Sequence, residues 1–149
     1  MQWHQVSQYF SGDPNDLIEI YFHAMDAESW RKLFDWLEGK VIYLRDQYNV
    51  DRSNKLNLNA FLTGERCYIA DIQTPLLRLS LAIIDDDLLT IDIEKGDIQS
   101  QELFADLLSS VNIIAEVVGC KDYIICPEFK KAEAFVVNGV VVAEAQQPR

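Results

Sequence analysis

The chain has 149 residues, and its 24 Asp and Glu against 13 Lys and Arg give it a formal net charge of −11. Hydrophobic residues make up 49% and charged residues 25%, enough apolar material for one cored domain and too much for a disordered chain. The acidity argues against a nucleic-acid or anionic-membrane surface, since both want Lys and Arg against phosphate, and makes a basic partner the natural complement.

Met1 to Gln5 carries neither the basic nor the apolar segment of a secretory signal, and no run approaches the roughly 18 apolar residues of a membrane helix. The chain therefore reads as cytoplasmic. Cys67, Cys120 and Cys126 are odd in number and form no Cys-x-x-Cys pair, which predicts reduced, buried thiols rather than a disulfide scaffold or a zinc site.

Residues 1–16, with the turn cluster Ser11 to Asp16, read as a leader that starts no core element. Leu17 to Met25 is β-branched and aromatic. It predicts a strand with Ile18, Ile20 and Phe22 on one face and Glu19, Tyr21 and His23 on the other. Asp26 then caps a helix in which Trp30, Leu33, Phe34 and Leu37 recur at helical spacing and Gly39 supplies a left-handed stop. Lys40 to Tyr48 favours a strand through Val41 to Leu44, the alternative being a helix that continues through Gly39. Asn54 to Leu62 alternates Leu56, Leu58 and Ala60 with polar residues, the period of a half-buried strand.

After a turn at Gly64-Glu65, three more strands are predicted over Arg66 to Gln73, Leu76 to Ile84 and Leu88 to Glu94. The last two form a hairpin about Asp85 to Asp87, with Leu77, Leu79, Leu81 and Ile83 facing the core alongside Leu89, Ile91 and Ile93. Ser100 caps a second helix whose stripe runs from Leu103 to Val118 and stops at Gly119. Tyr123 to Cys126 is a short strand ended by Pro127. Phe135 to Val142 is a hairpin about Asn138-Gly139, and residues 144–149 form a frayed tail. Both helices have one apolar face, so the expectation is a single α+β domain: a two-layer sandwich in which two helices pack on one face of a mainly antiparallel sheet.

Between Ile84 and Leu107 there are eight acids and one base, which predicts one strongly negative face. Asp85, Asp86, Asp87, Asp92, Glu94 and Asp97 are its candidate partner-binding residues, acting by electrostatic steering of a basic protein. Trp36 lies six positions from Trp30 and off the apolar stripe, which makes it a candidate interface anchor. Glu19, Tyr21 and His23 are the alternative, a small polar ligand site if their face opens on a cleft. The acids lack the alternation, glycine and terminal Glu of a calcium loop, so no metal is expected. No Gly-x-Ser-x-Gly turn or Gly-rich phosphate loop accompanies His4 or His23, so neither catalysis nor a cofactor is expected.

In size, acidity and lack of catalytic groups, the chain resembles the small bacterial immunity proteins that neutralise toxin domains. The resemblance covers its general character, rests on no motif and transfers no residues. It implies a non-enzymatic domain that occludes the basic cleft of a toxin such as a nuclease. The alternative is a small-molecule-binding or regulatory domain.

Overall fold

In the computed structural model, which describes residues 2–50, 56–119 and 122–142, the first strand of the chain takes an interior place in the sheet. Strand β1 (Leu17–Phe22) lies between β5 (Leu88–Glu94) and β6 (Tyr123–Pro127). Outward from β5 come β4 (Arg78–Asp85), β3 (Tyr68–Gln73) and β2 (Val41–Asp46). Outward from β6 come the two-residue strands β7 (Val136–Val137) and β8 (Val140–Val141). The order is β2-β3-β4-β5-β1-β6-β7-β8, and every pairing is antiparallel.

Helix α2 (Ala27–Leu37) begins where expected, because the Asp26 carboxylate accepts the Ser29 N–H at 2.8 Å. Its Trp30, Leu33 and Leu37 are fully buried, and Gly39 takes a φ of +77° just beyond it. Helix α4 (Gln101–Val118) starts at Ser100, whose hydroxyl accepts from Leu103 N, and stops at left-handed Gly119. The two helices pack against each other and onto one sheet face, over Ile20, Leu81 and Ile91 among others. Each such side chain contributes about 1.5–3 kcal/mol of transfer free energy. The result is the expected α+β sandwich with an open, unclosed sheet.

Two expectations about the elements are corrected. The segment read as a strand over Asn54 to Leu62 holds a helix, α3 (Leu58–Leu62); residues 54 and 55 lie outside the described residues. Its apolar alternation is real, but Asn57 accepts the Ala60 N–H at 2.9 Å and caps a turn that buries Ala60 and Phe61 instead. The leader, for its part, does start a core element. Helix α1 (Gln2–Val6) and a 3-10 turn (Ser7–Phe10) bury Val6 and Phe10. Phe10 meets Trp3, Phe104 and Phe135 at ring distances of 5.5, 6.0 and 5.5 Å.

Of the cysteines, Cys126 is buried and Cys67 only half-buried, contrary to the expectation of full burial; both are free thiols. Cys120 and the tail 144–149 lie outside the described residues. Among the described residues, no helix is long and apolar enough to cross a membrane.

Candidate functional site

The acids from Ile84 to Leu107 do not share one face. Asp85, Asp86 and Asp87 are exposed at the β4–β5 turn. Glu94 and Asp97 are exposed at the opposite end of β5, roughly 20 Å away by the strand rise. Asp92 lies between them on the sheet face away from the helices. Asp106 belongs to the helical layer, where it accepts the Thr74 hydroxyl at 2.5 Å and the Leu76 N–H.

Each end instead recruits acids from elsewhere in the chain. The β4–β5 turn is tied down by Met25 N–H donating to the Asp87 carbonyl at 3.1 Å and by Trp30 Nε1 donating to the Asp86 carbonyl at 2.7 Å. His23 N–H donates to the Asp122 carbonyl at 3.3 Å. Exposed Asp26 and Asp122 are thereby brought to the same rim as Asp85, Asp86 and Asp87. Hydrogen bonds from Ser29 hold the Asp26 carboxyl below its ordinary range, so this member of the rim stays charged into acid. At the far end, Lys95 N–H donates to the Asp16 carbonyl and Gly96 N–H to that of Pro14, which sets Asp13 and Asp16 near Glu94 and Asp97. The sequence marks Asp26 only as a helix cap and Asp122 not at all, because the backbone contacts that gather them to this rim are long-range.

Trp36 is half-buried on α2, with Lys40 Nζ 4.9 Å from its ring centroid. It borders a cavity of about 350 Å³ with Ile113, Ile114 and Pro75, well away from the acidic rim.

Glu19, Tyr21 and His23 do share a face, as their alternation requires. Tyr21 and His23 stack at 6.1 Å, and the Tyr21 hydroxyl donates to Glu19 Oε1 at 2.6 Å. This face does not open on a cleft above Glu19 and Tyr21. The β6–β7 connection, residues 128–134, folds back as a strap: Phe129 N–H donates to Glu19 Oε1 at 3.0 Å, Lys131 Nζ sits 4.5 Å over the Tyr21 ring, and Ala134 packs with Tyr21 and Cys126. Glu19 and Tyr21 are each 7% exposed.

Directly across the ladder, Glu19 is paired with Asp92 on one side and Cys126 on the other. The row continues from Asp92 to Ser80 and Asp71 on β4 and β3. Burial, and then the neighbouring Glu19 carboxylate, push the Asp92 carboxyl up to about 7. Burial and a hydrogen bond to Glu19 likewise push the Tyr21 phenol well above its usual range, and burial raises the Cys126 thiol to about 11. Cys126 is therefore a protonated, unreactive thiol at neutral pH. Among the described residues, no group of three or more His, Cys, Asp or Glu is placed to hold a metal ion.

No protein-family model matches the chain, and no curated protein matches it in sequence. Its backbone is similar to a chain from the crystal structure of the toxic C-terminal tip of CdiA from Pseudomonas aeruginosa in complex with immune protein. The TM-score is 0.57 at 11% identity, covering 85% of this chain and 96% of that one. At that identity the likeness is one of fold.

Proposed function

We propose that this chain is a non-enzymatic, immunity-type domain that binds a basic toxin domain and occludes its active site. The observation that carries the reading is the fold likeness to a chain from a toxin–immune protein complex. The net charge of −11 supports a basic partner. The docking surface in this reading is the rim of Asp85, Asp86 and Asp87 with Asp26 and Asp122. Glu94 and Asp97 at the other end, Asp92 between them and Trp36 on the helical layer are secondary candidates. A carboxylate rim accelerates encounter with a cationic cleft and imposes a steep salt dependence on association.

The test is co-expression with a toxin domain encoded beside this gene. That domain alone should arrest growth, and this chain should restore it. Triple reversal of Asp85, Asp86 and Asp87 to Lys should slow association measured by surface plasmon resonance by about tenfold or more, with the far-ultraviolet circular dichroism unchanged. Failure to restore growth would remove the immunity reading. Restored growth with an association rate indifferent to salt and to the reversal would remove the acidic rim as its surface.

A further inference from the structure

Three costly features converge on one loop. Glu19 is a carboxylate buried between strands, and Phe129 holds a left-handed φ of +60° while being 84% exposed. A bulky residue in that backbone region is strained unless its surroundings impose it. Two contacts impose it here: the Lys130 N–H donates to the Pro127 carbonyl at 3.0 Å and closes the turn, and the Phe129 N–H donates to Glu19 Oε1 at 3.0 Å and ties that turn to the sheet. Glu19 in turn lies beside Asp92, whose buried Oδ1 has no hydrogen-bond partner.

We propose that the Glu19–Asp92 carboxyl pair is a proton-operated latch holding the 128–134 strap over the open face of the sheet. With one proton shared, Asp92 donates to Glu19, and Glu19 keeps its lone pairs for Phe129 N–H and the Tyr21 hydroxyl. Without that proton, two carboxylates stand side by side in a partly dehydrated site. The groups facing them are Tyr21 on β1, Cys126 on β6, Glu128 and Lys131 on the strap, and, further along the row, Asp71 on β3 ion-paired at 2.7 Å with Arg78 on β4. Glu128 adds a further negative charge. Lys131 supplies a positive one on the strap side and is held over the Tyr21 ring. Lifting the strap lets water reach both carboxylates and uncovers Tyr21 and Cys126.

The proton linkage has a definite sign. The closed strap retains a proton up to about pH 7, whereas a hydrated carboxyl pair releases it nearer pH 4. Opening therefore releases a proton within that window. The opening equilibrium rises with pH between those limits and levels off above them.

Amide hydrogen exchange of the full chain, read by nuclear magnetic resonance and corrected for intrinsic rates, tests the latch at Phe129 and Ala134. Protection in the wild type should fall by about fivefold or more from about pH 5 to about pH 7.5 and then flatten, whereas Asp92→Asn, which mimics the protonated pair, should stay within about twofold throughout. Carboxyl carbon shifts should show Asp92 titrating near neutrality. A flat wild-type profile, an equal fall in Asp92→Asn, an equal fall at β4 and β5 amides, or Asp92 titrating near pH 4 would overturn the proposal.

Discussion

Replacing Asp92 with Asn should stabilise the protein, and only above acid pH. The wild-type carboxyl lies near 7 when folded, against an ordinary value of 3.8. Between those values the folded chain binds a proton that the unfolded chain has released, so stability falls as pH rises through the window and stays low beyond it. About three pK units at 1.36 kcal/mol each set a ceiling near 4 kcal/mol. Solvent reaches one side of Asp92 and screens the repulsion, which reduces the expected gain to about 2 kcal/mol. Asn keeps the shape and donates to Glu19 as the protonated acid would. Thermal unfolding at pH 8 should then show a Tm raised by about 4–8 °C for a chain of this size. At about pH 3.5 the two proteins should melt within about 1 °C of each other. Equal melting at pH 8, or a gain of the same size at both pH values, would refute the shared-proton reasoning.

The remaining predictions concern packing and access. Trp30→Phe removes the bond to the Asp86 carbonyl and should cost about 1–2 kcal/mol in urea denaturation, loosening the β4–β5 turn that carries the acidic rim. Phe10→Ala should cost about 3–5 kcal/mol, because the ring is buried among Trp3, Phe104 and Phe135; a loss under about 1 kcal/mol would show that the N-terminal helix is dispensable. Gly139→Ala should cost about 1–2 kcal/mol, since Gly139 has a φ of +83° and an added Cβ would sit 3.2 Å from Asn112 Oδ1. In native protein an aromatic disulfide reagent should label Cys67 but not buried Cys126, which should react only on unfolding.

The elements that sequence determined are those whose signals are local. In α2 and α4 a capping side chain, a helical stripe and a left-handed glycine fall within one segment and agree. The β4–β5 hairpin has matched alternation on either side of a short polar turn, and Asn138 and Gly139 at φ of +52° and +83° make the turn that Asn-Gly favours. α3 escaped because five residues are too few to separate a period of two from one of 3.6, so the tertiary pocket for Phe61 against Trp30 decided it, at 4.6 Å between rings. The N-terminal helix is likewise too short to form unaided, and only the aromatic cluster with Phe104 and Phe135 gives it a place. Tertiary structure also set β1 between β5 and β6, which no local pattern encodes. That placement brought Glu19 beside Asp92, folded the strap over Tyr21, drew Asp26 and Asp122 to the rim, and divided one acidic stretch between two ends of a sheet. Charge composition is a property of the chain, but which charges act together depends on strand order and register, and those arise from contacts between residues far apart in sequence.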